Sequence, residues 1–202
     1  VLRRGEVAGH ADPERATVEM LATQMVGRNV DFKTDKTPAN PSEVVLRIDD
    51  LYVNDERSVA AVQGLTLEVR AGEILGIAGV QGNGQSELVE TITGLRKAIS
   101  GTVNLMGTDI TNAKPRTVTQ LGTAHVPEDR QKMGMVKPFS VMQNMVLNYY
   151  NDPPYASGIL INDDAIAQHA AKLVEEYDVR PPTIHNRIGS LSGGNQQKVI
   201  IA

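Results

Sequence analysis

The chain has 202 residues, of which 41% are hydrophobic and 22% charged, enough to bury a core and too ordered in composition for a disordered or collagen-like chain. Twenty lysines and arginines against 24 acids give a net charge of −4, and aromatics make up 3% with no tryptophan, which argues against nucleic acid as a partner through bulk charge or base stacking. Cysteine is absent, excluding disulfide scaffolds, thiolate zinc sites and thiol nucleophiles.

The longest apolar stretch, Ile74 to Val80, is far short of the roughly 18 residues of a spanning helix, and Val1-Leu2-Arg3-Arg4-Gly5-Glu6 carries neither an initiator Met nor an apolar signal core. The chain therefore reads as soluble and as cut out of something longer. Val1 to Glu6 suggests a short strand entering a turn. A helix is expected from about Asp12, with Pro13 in its first turn, Val18, Leu21, Ala22 and Met25 at helical spacing, and Gly27 as its stop. Asp31 to Glu43, polar and holding Pro38 and Pro41, reads as a linker. The first thirty residues are too few for a core of their own and read as the tail of a preceding unit.

A new unit opens at Val44. Val45, Leu46, Ile48, Leu51 and Val53 suggest a strand, and Val59 to Val69 another, broken at Gly64. Ile74 to Ala78 has the short apolar run of a buried parallel strand. Gly79 to Gly84 follows, then a helix with Leu88, Ile92 and Leu95 on one face. Val103 to Met106 and Thr123 to Val126 suggest further strands, with a short helix near Pro115 to Leu121 between them. Val141, Met145 and Leu147 suit a helix after Ser140, and Asn162 is placed to cap another that carries Ile166, Ala170, Leu173, Val174 and Tyr177 on one apolar face.

Strand, glycine loop and helix together give a phosphate loop its meaning. The loop reads Gly79-Val80-Gln81-Gly82-Asn83-Gly84-Gln85-Ser86. Its glycines let backbone N–H groups turn inward around phosphate oxygens, and the following helix adds its positive end. The pattern then calls for Lys before Ser or Thr. Ser86 is present as a Mg²⁺ ligand, but Gln85 stands in place of the Lys, and Glu87 follows as a first-turn acid. A neutral amide donates a hydrogen bond without offsetting the charge on a transferring phosphoryl group, so nucleotide binding is compatible with this loop and efficient hydrolysis is not. Gly82-x-Gly84-x-x-Glu87 also resembles a dinucleotide fingerprint lacking its third glycine, and an ordinary glycine-rich turn is the plain alternative.

A second string, Leu191-Ser192-Gly193-Gly194-Asn195-Gln196-Gln197-Lys198, stands roughly a hundred residues on. Ser192 is placed to cap a helix, and two glycines let backbone amides approach an anion. With this pair of motifs the sequence resembles the ATPase subunits of ABC transporters, with Asn195 where the signature usually has Gln. More narrowly it resembles the second nucleotide-binding domain of the tandem ATPases that drive simple-sugar and nucleoside importers, on GVQGNGQSE (Gly79 to Glu87), Val126-Pro127-Glu128-Asp129-Arg130 and LSGGNQQK. Gly94-Leu95-Arg96, Asn144-Met145-Val146-Leu147 and Tyr149-Tyr150 look more like the nucleoside branch.

The resemblance implies an α/β fold: a mostly parallel P-loop sheet, an antiparallel β-subdomain from Val44 to Val69, and a helical insert near Ser140 to Ser190 bearing the signature. It implies that residues 1–30 end a first ABC domain, that 31–43 link, and that 44–202 form a second, incomplete domain stopping before the Walker B strand and the switch histidine. None of His10, His125, His169 or His185 stands in a switch context. With central strands missing, marginal stability is expected of the isolated piece. In such a family each ATP lies between one domain's phosphate loop and the other's signature, so Ser192, Gly193 and Gly194 would act in trans while Gly79, Gln81, Gly82, Asn83, Gly84, Gln85, Ser86 and Glu87 form the degenerate half. Glu128 falls where the family has its Gln-loop residue, and Asp129 and Arg130 are expected to organise that loop by local pairing. The adenine-stacking aromatic is displaced, Tyr52 being the nearest candidate. ATP and Mg²⁺ are the implied cofactors. The implied partners are the first ABC domain, the transmembrane permease, for which Phe139, Val141 and Met142 are contact candidates, and indirectly a substrate-binding lipoprotein or periplasmic protein. Location at the cytoplasmic face of the membrane follows. Two other readings remain: a non-hydrolytic regulatory module that completes a partner's site, and, more distantly, a stand-alone P-loop kinase or GTPase.

Overall fold

In the computed structural model, which describes residues 1–3, 5–29 and 36–202, Val1–Pro41 forms one unit and Ser42–Ala202 another. In the first, β1 (Leu2–Arg3) and β2 (Glu6–Val7) pair antiparallel across Gly5, whose φ of 85° requires glycine. The helix expected from Asp12 begins later, as α1 (Val18–Val26). Asp12 instead closes a turn, its carboxylate accepting from Glu14 N at 3.0 Å, and extended Thr17 accepts from Met20 N as the true N-cap. Gly27 ends α1 in the left-handed conformation, donating to Thr23 O. No residue of α1 is buried. Of the predicted linker, residues 31–35 lie outside the described residues.

The second unit starts with a four-stranded sheet in the order β4-β3-β5-β6, built from β3 (Val44–Asn54), β4 (Ala60–Arg70), β5 (Ser100–Leu105) and β6 (Thr108–Asp109). Strict alternation along β3 would send Ile48 and Leu51 to opposite faces. A register shift between them, with Asp50 at φ 47°, resets the phase, so Ile48, Leu51 and Val53 are all buried. Gly64 does not break β4; it makes room for Tyr52, whose hydroxyl would stand 3.0 Å from a Cβ there. Against the sheet lies α2 (Gln85–Ile92), which buries Leu88 in a core shared with Val62, Val103, Ile110 and Val118, the last from α3 (Pro115–Gln120). Leu95, expected on the apolar face of α2, lies beyond its end and is exposed.

The remaining elements are α4 (Arg130–Met133), α5 (Val141–Asn144), the hairpin β7 (Ala156–Ser157) with β8 (Leu160–Ile161), α6 (Asp163–Glu176), a 3₁₀ turn (Ile188–Ser190) and α7 (Gly193–Ile201). Local capping sets their starts. Ser140 and Gln143 form a reciprocal capping box on α5, and Asn162 accepts from Ala165 N on α6. Ala170, Leu173 and Val174 of α6 pack with Val141, Met145, Ile188, Leu191 and Val199 in a second core.

Two predicted strands are absent. Ile74–Ala78 and Thr123–Val126 are irregular, and every strand pair among the described residues is antiparallel, so the mostly parallel sheet is not formed. An apolar run becomes a strand only where a neighbour takes its backbone hydrogen bonds. Neither segment pairs with the sheet or with the other, and Ile74 is 98% exposed.

Candidate functional site

The glycine loop is shaped by two residues in the left-handed region, Gly82 at φ 89° and Gly84 at φ 96°. Gly84 has a second constraint, since a Cβ on it would run into the carbonyl oxygen of Ala61 on β4. Gly84 is the N-cap of α2, accepting from Leu88 N at 2.9 Å, and no side chain caps this helix. Its first-turn amides, from Gln85 onward, are left to an anion or water, and the helix dipole favours the anion. Glu87 occupies that turn as expected. The Gln85 side chain folds back over the loop: a Cβ on Gly79 would overlap its amide.

Gln85, Ser86 and Glu128 line one cavity of about 430 Å³, together with His125 and Asp129. The loop's hydroxyl and the acid after the Val126 segment are thus brought together. Glu90 also lines the cavity, but its carboxylate accepts from Arg96 Nε at 2.7 Å, and that hydrogen bond raises the affinity of the guanidinium for its proton. Arg96 also donates to Asn54 O, tying the end of α2 to β3. Ser86 and Glu128 suit a hard cation by their oxygen chemistry, although no group of three or more histidines and acids converges among the described residues.

Asp129 does not pair with Arg130. It caps α4, accepting from Gln131 N and Lys132 N, and the Lys132 backbone bond is the main cause of its lowered pKa. Arg130 reaches across to α7, donating from Nη1 to Gln197 Oε1 at 3.4 Å. Its guanidinium lies over Gly193, where a Cβ would stand 2.6 Å from Nη2.

The second string forms the start of α7, and none of Ser192, Gly193 and Gly194 lines the cavity that holds Gln85 and Ser86. Leu191 is buried in the second core and holds the turn, while Ser192 is exposed. Ser192 is the N-cap by backbone, accepting from Gln196 N at 2.9 Å, yet its hydroxyl accepts no backbone N–H of the helix. It accepts instead from Asn195 Nδ2 at 3.0 Å, and Asn195 Oδ1 accepts from Arg180 N at 2.7 Å. Gly194 meets nothing within 4 Å of a built Cβ. A glycine in a helix costs about 1 kcal/mol against alanine, and no packing among the described residues calls for one at 194.

Asp178 anchors this end of the chain. It accepts from Arg180 Nε at 2.7 Å, and Lys198 of α7 donates to its backbone oxygen at 2.6 Å. The Arg180 and Lys198 bonds hold its carboxyl below the ordinary range. Sequence reasoning missed Asp178, Arg180 and the reach of Arg130, because nothing local marks residues that meet α7 from 15 or more positions away.

The other residues singled out in the sequence also find their places. Tyr52 lies in β3 against Gly64. Among the permease candidates, Val141 is buried in the core and Met142 packs against it, leaving Phe139 exposed. His169 packs against the Tyr155 ring at 5.2 Å. No helix among the described residues is long and apolar enough to cross a membrane.

Residues 62–202 match the family model described as ABC transporter. The chain is 46% identical to the guanosine import ATP-binding protein NupO of Bacillus subtilis (strain 168) over 201 residues, which is 100% of this chain and 39% of that protein. It is also 46% identical to the nucleoside import ATP-binding protein NupA of Lactococcus lactis subsp. cremoris (strain MG1363), across 100% of this chain and 40% of that protein. The chain thus spans about two fifths of the curated relatives it matches. A crystal structure of a nucleotide-free ATP-binding cassette from an ABC transporter superposes with a TM-score of 0.63 at 26% identity, covering 79% of this chain and 63% of that one.

Proposed function

The chain belongs to the ABC transporter ATP-binding family, and from that premise we propose that it is part of the energy-coupling ATPase of an importer for nucleosides, or failing that simple sugars. The relatives NupO and NupA support the nucleoside reading by their names and by equal identity. In this reading residues 1–30 end a first ABC domain, 31–43 link, and 44–202 form the greater part of a second. The protein works at the cytoplasmic face of the membrane, against a permease served by a substrate-binding protein.

The division of labour between the two motifs follows from their chemistry. The loop from Gly79 to Glu87 offers turned glycines and uncapped first-turn amides, which fit a nucleotide phosphate. It offers the neutral Gln85 amide where charge neutralisation is needed, so it binds without hydrolysing efficiently. Ser86, with Glu128 across the shared cavity, would hold Mg²⁺, which when bound offsets phosphate charge. Ser192, Gly193 and Gly194 act in trans, presenting a hydroxyl and helix amides to the ATP held by the facing domain's loop. The observation that carries this reading is the open start of α7: the Ser192 hydroxyl does not cap its own helix, and Gly194 makes room for nothing among the described residues.

Mg²⁺-ATPase activity of the full-length protein tests it. Ser192→Arg fills the space before α7 and abolishes turnover, while Gln85→Ala leaves most of it. Full activity with Ser192→Arg would sink the in-trans role. ATP binding without turnover in the unaltered protein would favour a non-hydrolytic module that completes a partner's site.

A further inference from the structure

The amide of Asn195 stands between two groups of unequal capacity. The backbone N–H of Arg180 can only donate, and Asn195 accepts it at Oδ1, 2.7 Å away. That bond fixes which way the amide faces, so its NH₂ is turned to Ser192 and donates to Oγ at 3.0 Å. A hydroxyl has one proton and two lone pairs. With a lone pair engaged by Asn195, the Ser192 proton points away from the amide, and neither α7 nor another acceptor among the described residues takes it. The frame behind this arrangement is braced, because Arg180 is bonded to Asp178 and Asp178 to Lys198, one turn further along α7.

On this geometry, and resting on the reading of Ser192 as facing the ATP of a partner domain, we infer that Asn195 is a positioning residue that directs the Ser192 hydroxyl proton outward, toward the phosphate. Within the chain its amide spends one lone pair on Arg180 N and one N–H on Ser192 Oγ. Aspartate at this position would keep an acceptor for Arg180 N, but its second oxygen would accept the Ser192 proton and turn the hydroxyl inward.

The test is a double-mutant cycle on Mg²⁺-ATP turnover by the full-length protein, using Asn195→Asp, Ser192→Ala and the double variant, with a thermal melt of each. A hydrogen bond to a charged group corresponds to roughly a ten- to hundredfold change. Asn195→Asp is expected to lower kcat by that order with less than about a threefold change in KM for ATP. In the Ser192→Ala background the same change should cost less than about twofold. Equal losses in both backgrounds would overturn the inference, since Asn195 would then act by charge or by structure and not through the hydroxyl. A normal rate for Ser192→Ala beside a dead Ser192→Arg would also overturn it while leaving the in-trans site standing; normal rates for both would sink that site as well. Should Asn195→Asp fail to fold, Asn195→Ala enters the same cycle, where any purely structural loss appears in both backgrounds.

Discussion

Arg130 and Gln197 meet at 3.4 Å although 67 positions separate them, and the arginine covers Gly193 on its way. This contact gives the two adjacent glycines at the start of α7 different reasons to be glycine. Gly193 leaves space for a guanidinium of its own chain, and Gly194 leaves space that no described residue uses.

The difference predicts opposite signatures for two alanine substitutions. Gly194→Ala adds a methyl to open space and removes a helix penalty, so it should stabilise the 202-residue chain by up to about 1 kcal/mol. In the full-length protein the same methyl should cut ATP turnover at least about tenfold if Gly194 has the in-trans role proposed above. Gly193→Ala should push Arg130 off Gln197, so its stability change should depend on whether Arg130 is present. Chemical denaturation of the single and double variants, with an ATPase assay, reads both effects. A Gly194→Ala protein with normal turnover would leave that glycine without a role.

Asp178 sets a pH dependence whose sign follows from its partners. Its carboxyl is held below the ordinary value by hydrogen bonds from Arg180 and Lys198, so the folded state binds that proton less readily than the unfolded chain. The associated stability is fully present above the unfolded pKa of about 3.9 and is lost as pH falls through the lower folded value. Asp178→Asn removes it. The gap in melting temperature between the two proteins should be constant from pH 7 to about pH 5 and should close below about pH 4. A gap that widened on acidification would refute the assignment.

Ile48 and Ile74 are the same residue in two expected strands with contrasting surroundings. Ile48 is fully buried and Ile74 almost fully exposed. Ile48→Ala should cost about 3 kcal/mol in the 202-residue chain, through lost burial and a residual cavity. Ile74→Ala should fall within about 0.5 kcal/mol. Equal losses in urea unfolding would mean that the Ile74 segment packs after all.

What could be read from the sequence was whatever short range decides. The helix after Ser140, the cap at Asn162, the apolar face of α6 and the turned glycines of the loop each depend on residues a few positions apart. The start of α1 failed at that same range, because Asp12 and Thr17 are both good caps and the structure uses the first for a turn. The phase reset at Asp50 has no apolar signal, since a bulge is a property of pairing. Ile74–Ala78 shows the converse: a correct pattern for a strand without the neighbour that makes one. At the candidate site the sequence marked the loop and the start of α7, and Glu128 was brought to the cavity it shares with Ser86. Arg130 was assigned a local partner and found one on α7. The Arg180–Asn195–Ser192 relay was invisible, because its geometry depends on a backbone N–H that carries no residue identity.

The close approach of Gly84 to Ala61 leaves no slack between the end of the glycine loop and β4. Any side chain at position 84 would therefore have to push the first turn of α2 and the β3–β4 ribbon apart.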